Sequence, residues 1–182
     1  GTLIGVERAV ALRALWPYTA PMLTALGALA LLAGLPAPPL MTLGSLGLVA
    51  MFAVILSRQW TLATLTMALG VVLWAVGNGL WWVGWPVAQV VPWWSGFLVL
   101  TIAGERLELS RLLRLSMPQY TLFLVAVSLV LAGLLLLATA FASGVRLTGV
   151  GMLVLSWWLL RYDIARRTVR QTGATRFMAV CL

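Results

Sequence analysis

Long apolar stretches, broken by short clusters of proline, glycine, tryptophan and arginine, set the pattern of this chain. The run from Gln59 to Leu100 carries no charge over 42 residues. Five charges then follow within ten positions: Glu105, Arg106, Glu108, Arg111 and Arg114. The apolar runs do not alternate with polar positions and are too long for barrel strands, so helices are the predicted elements. A helix crosses the hydrocarbon core with about 20 apolar residues at about 1.5 Å each. On that basis the pattern predicts an all-α bundle of six transmembrane spans in a single domain, at about 18–35, 40–57, 60–81, 87–109, 119–142 and 147–162. Partial helices are predicted at 1–12 and 174–182, so the chain reads as a fragment of a longer polytopic protein.

The breaks between spans have chemical causes. "GLPAPP" at 34–39 ends the first span, because proline removes a donor and restricts the residue before it. "WWVGWP" at 81–86 turns the third, "SMP" at 116–118 separates the fourth from the fifth, and "SGVR" at 143–146 reads as a tight turn. The last span then keeps an apolar stretch of 14 residues, Leu147 to Leu160, which Arg146 and Arg161 lengthen by snorkelling outward.

Charge gives this threading a direction. Of the 12 basic residues, all arginine, eleven fall on one face and only Arg146 on the other. That asymmetry places the arginine-rich face in the cytoplasm and favours anionic lipid headgroups as its neighbours. Trp81, Trp82, Trp85, Trp93 and Trp94 are expected in an outer aromatic belt, and Trp16, Trp60, Trp157 and Trp158 in an inner one. Composition agrees: 63% of the 182 residues are apolar and 9% charged, too greasy for a water-soluble core. The net charge of +8 is spread between hydrophobic spans, so nucleic acid is not the expected partner. The chain has no histidine and one cysteine, which removes the commonest metal and haem ligand, the commonest general base, and any internal disulfide. No nucleotide-binding loop, zinc-protease helix or paired-cysteine motif is present, and no catalytic residue is assigned. The scattered methionines read as gap-fillers.

Two places stand out chemically. Glu105 and Glu108 lie near the C-terminus of an inward-running helix, whose partial negative charge favours cations. Glu108 has Arg111 at i+3, and Asp163 has Arg166 and Arg167 at i+3 and i+4. Glu105 and Glu7 have no such local partner, and each sits beside an arginine in "AGER" and "GVER". Reciprocal interhelical pairs, Glu7 with Arg106 and Glu105 with Arg8, are one reading. Solvated boundary charges, contributing about 0–1 kcal/mol per pair, are the other. The second place is "WAVGNGLWWVGWP" at 74–86. Asn78 needs hydrogen-bond partners in lipid, and its flanking glycines permit close helix approach. It reads either as a packing position or as part of an outer-face pocket. In that pocket Trp74, Asn78, Trp81, Trp82 and Gln89 would contact a ligand such as a quinone headgroup. On the second span, Thr42, Gly44, Ser45 and Gly47 suit helix packing.

At "GTLIGVERAVAL", "VPWWSGFLVLTIAGERLELSRLL" and "WWLLRYDIARRTVRQTGATRFMAVCL" the chain resembles a family of uncharacterised bacterial polytopic membrane proteins. These are in turn similar to the NnrS-like proteins associated with haem, copper and nitrogen-oxide metabolism. The resemblance implies an inner-membrane protein whose full length binds haem or copper through histidines on flanking helices. No such ligand falls on any residue of this sequence. The expected role is therefore the helical frame of such a protein. A secondary transporter for a small solute and a scaffold subunit of a membrane complex are the alternatives.

Overall fold

The computed structural model describes residues 2–12, 15–110 and 115–162. Three helices begin where the backbone can be satisfied. Pro38 and Pro39 occupy the first turn of their helix, where their missing N–H groups leave no bond unmade. The Thr61 hydroxyl accepts from the N–H of Thr64 at 3.1 Å and caps the next. Gln119 Oε1 accepts from the N–H of Ser116 at 2.9 Å at the start of a later one. The order is α1 (Thr2–Leu12), a 3₁₀ turn (Trp16–Tyr18), α2 (Thr19–Leu32), α3 (Pro38–Arg58), α4 (Leu62–Trp82), α5 (Val87–Ser110), α6 (Met117–Leu136) and α7 (Phe141–Tyr162). Among the described residues the fold is all-helical, without a strand.

Five helices, α3 to α7, are long and apolar enough to cross a membrane. The first predicted span is shorter than expected: α2 has 14 residues, and 17 with its leading 3₁₀ turn. It stops at Leu32 because the chain turns through Gly34, whose φ of 70° is open to glycine. The turn predicted at 143–146 is corrected. Ser143 to Arg146 lie inside α7, and the chain reverses at 137–140 instead. Gly144 is a packing residue: a Cβ there would sit 2.7 Å from the Leu137 nitrogen and 2.9 Å from the Gly133 oxygen. In consequence α7 has 22 residues and α6 ends at Leu136 rather than Ala142. The partial helix predicted at 174–182 lies outside the described residues, as do Arg111, Arg114 and the charges from Asp163 onward.

Residues Gly1–Thr101 and Ile102–Leu182 form two compact units, with α5 contributing to each. In the first, small residues set an antiparallel register between α2 and α3. Gly47 faces Ala20, Gly44 faces Thr24 and Gly27 faces Met41, each too close for an unstrained Cβ. Gly70 of α4 meets the Phe97 oxygen and Leu100 of α5 in the same way. Between these helices Leu48, Met51, Phe52, Met67, Val71 and Phe97 form the core, with Ala9 of α1 against it. In the second unit α6 and α7 run antiparallel. Gly133 lies against Thr148, Gly151 against Val130, and Gly144 against Leu137. At the far end of this pair, fully buried Trp158 packs edge-on to Phe123 at 4.9 Å and donates its indole N–H to the Gln119 oxygen at 2.8 Å. Trp158, expected in the inner belt, is therefore a core residue, and so is Trp93 of the outer one, 8% exposed. Trp158 is held inward by Phe123 and the Gln119 oxygen, and the Cβ of Trp93 lies against Gly77, contacts that position along the chain does not show. Trp16, Trp60, Trp82, Trp85 and Trp157 do lie at the surface. The outward faces otherwise carry Leu26, Leu29, Leu43, Leu46, Val72 and Leu98 in the first unit, and Leu124, Leu135 and Leu153 in the second.

Candidate functional site

Gly77, in the penultimate turn of α4, is where the candidate site begins. A Cβ at this position would come within 2.9 Å of Cδ1 and Nε1 of Trp94, so glycine is what lets the Trp94 ring of α5 lie against α4. The ring's N–H then reaches Asn78 Oδ1 at 3.1 Å. On its other side Asn78 donates Nδ2 to the Met41 oxygen of α3 at 3.3 Å. Asn78 is 2% exposed, so this amide ties three helices together inside the first unit. Unmet, its polar atoms would cost several kcal/mol in apolar surroundings, on the order of 2–7 kcal/mol.

A cavity of about 310 Å³ opens beside it, lined by Thr24, Ala28, Leu31, Met41, Trp74, Asn78, Trp81 and Trp94. Its walls are held by aromatic contacts. Trp74 stacks on Phe97 with centroids 5.2 Å apart and a 19° angle between planes. Trp81 meets Trp94 edge-on at 5.7 Å and 89°. The Thr24 hydroxyl donates to the Pro21 oxygen at 3.0 Å, along its own helix. Of the residues expected to form an outer-face pocket, the cavity brings together Trp74, Asn78 and Trp81. Trp82 is 53% exposed and does not line it, since one residue along a helix turns the side chain by about 100°. Gln89 is exposed in the first turn of α5, beyond the turn at Gly84. Sequence reasoning missed Thr24, Ala28, Leu31 and Met41, which come from α2 and α3. Trp94 was assigned only to an interfacial belt, although its indole N–H needs a partner when buried.

At the other end of the first unit lies Arg8. Its Nη2 donates to Met67 Sδ at 3.4 Å, and its guanidinium lies 5.9 Å from the Phe52 ring centroid. Its buried Nε has no partner among the described residues. Arg8 belongs to the first unit and Glu105 and Arg106 to the second, and the Glu7 side chain lies outside the described residues. The reciprocal pairs therefore stay an expectation.

The donor set does not suit a metal or haem centre. The sequence has no histidine, and no three Cys, Asp or Glu side chains gather among the described residues. A family model described as a domain of unknown function (DUF8744) matches residues 1–182. Neither a curated protein nor a solved structure matches the chain.

Proposed function

We propose, for a chain that belongs to the family DUF8744, a domain of unknown function, that it is a multi-pass inner-membrane protein serving as the helical frame of a larger membrane assembly. The observation that carries this reading is the set of five apolar helices of 20 to 24 residues whose outward faces are leucine and valine. Such faces are unfavourable in water at about 25 cal/mol per Å² of apolar surface, and lipid removes that cost. The short helix α2 makes a sixth crossing. It packs antiparallel to α3 from Ala20 to Gly27. With its 3₁₀ turn it reaches about 27 Å, so slight local thinning of a bilayer core of about 30 Å accommodates it.

The arginine-rich ends face the cytoplasm and anionic headgroups. In the first unit Arg8 sits over Phe52 and beside Met67, toward the end that carries Arg58. In the second, Arg161 ends α7 beside the start of α6, while Arg146 lies near the opposite end of α7. The resemblance to NnrS-like proteins extends the reading to haem-, copper- or nitrogen-oxide-associated assemblies. The histidine ligands of any such centre would come from outside this sequence. Single cysteines at Arg58 and Val83, in a Cys181→Ser background, test the orientation with a membrane-impermeant maleimide in intact cells. Labelling at Val83 and protection at Arg58 are expected, and the reverse pattern overturns the topology.

A further inference from the structure

We propose that the cavity among α2, α3, α4 and α5 binds a neutral flat ring bearing carbonyl oxygens, a quinone headgroup by chemical class, whose apolar tail leaves past the end of α2. Size is the first support. A cavity of about 150 Å³ accommodates benzene, and this one is about 310 Å³, room for a substituted ring. The walls are the second. Trp74, Trp81 and Trp94 present indole surfaces set by their own ring contacts, suited to a flat π-system.

The hydrogen bonds already made at the lining bear on the ligand's polarity. Asn78 Oδ1 already accepts from Trp94, and the Thr24 hydroxyl proton is directed to Pro21. On the donor side, Asn78 Nδ2 has two hydrogens and one partner, Met41. The indole N–H groups of Trp74 and Trp81 meet no hydrogen-bond acceptor among the described residues. Asn78 Nδ2 thus keeps a hydrogen to give, and a ligand that supplies an acceptor beside it takes that hydrogen. An anion has no arginine to meet among the lining residues, and a cation has no carboxylate. A quaternary ammonium would find the ring faces but would leave the free Asn78 amide hydrogen beside positive charge. The mouth decides the rest of the molecule. Ala28 and Leu31 are exposed on the cavity's α2 wall, and Leu32 and Leu35 continue the apolar surface beyond it.

The test uses the whole chain in detergent and a 1,4-benzoquinone carrying a ten-carbon tail. Quinone retained by the protein is measured at equilibrium by its absorbance. Saturable binding at one site per chain is expected. Trp81→Phe keeps an aromatic ring but removes the indole N–H and part of the ring surface, and should weaken binding about five- to tenfold. Ala28→Trp fills the mouth from an exposed position and should abolish binding, while Trp60→Phe, at an exposed residue outside the cavity, should leave it unchanged. The proposal is overturned if a chain with its helical spectrum intact shows no saturable binding, or if Trp81→Phe and Ala28→Trp both bind as tightly as the parent. Tighter binding of tetramethylammonium than of the quinone also overturns it. The membrane reading enters only as the ligand's route of access, and binding in detergent is read whichever way the cysteine labelling falls.

Discussion

Asn78 shows how much one amide can organise in an apolar bundle. Its two bonds, to the Met41 oxygen and from the Trp94 indole, join α3, α4 and α5 at one level. Asn78→Leu removes both and leaves the Trp94 N–H without a partner. A cost of about 1–3 kcal/mol is expected, read as a lower unfolding midpoint in detergent. Adding Trp94→Phe removes the orphaned donor, so the double variant should recover part of that loss relative to additivity. Trp158 makes the matching prediction in the second unit. Trp158→Phe loses the bond to the Gln119 oxygen and leaves a gap beside Phe123, for a loss of about 1–3 kcal/mol. Asn78 and its flanking glycines were legible as a special position from residue type alone. The roles of the tryptophans were not. Trp157 and Trp158 are neighbours in sequence, yet one is 54% exposed and the other fully buried.

Helices in this chain are apolar on all sides, so an apolar stripe cannot say which face meets which neighbour. Small residues carry that information. On α7, Gly144 and Gly151 touch α6, whereas a Cβ on Gly149 would meet nothing within 4 Å. Gly151→Ala places a methyl 2.7 Å from the Val130 nitrogen and should destabilise the α6–α7 pair by about 1–3 kcal/mol. Gly149→Ala should be neutral or stabilise by up to about 1 kcal/mol, because it removes backbone freedom without a clash. Measuring both by unfolding in the same detergent checks the assignment, and equal costs would contradict it. The same contrast explains the misplaced turn. A serine–glycine pair within an apolar run resembles a turn signal, but Gly144 serves a helix contact, and a run of ordinary residues at 137–140 makes the reversal. The prolines of α3 are similar: read as a stop, Pro38 and Pro39 are the first turn of the next helix.

At the largest scale, both units expose many leucines, valines and tryptophans. The chain should therefore float with membranes after an alkaline wash and sediment as aggregate when detergent is withdrawn. Recovery in the aqueous supernatant would refute the membrane reading. The proposed orientation rests on eleven of twelve arginines, so no single substitution should invert it. Arg146→Leu should leave the maleimide pattern unchanged.

Sequence alone determined that the chain is helical, that most of its helices are long and apolar enough for a bilayer, and that Asn78 sits at an unusual place. Those properties follow from local composition: a long uncharged run leaves the backbone no partner but itself. Tertiary structure alone decided which glycines are contacts, which tryptophans are core, and that α2 and α3 complete the cavity begun by Trp74, Asn78 and Trp81. The reason is that a helix apolar on every side has no preferred face. Close packing of small residues against particular neighbours chooses one, and that choice depends on residues far apart in the chain.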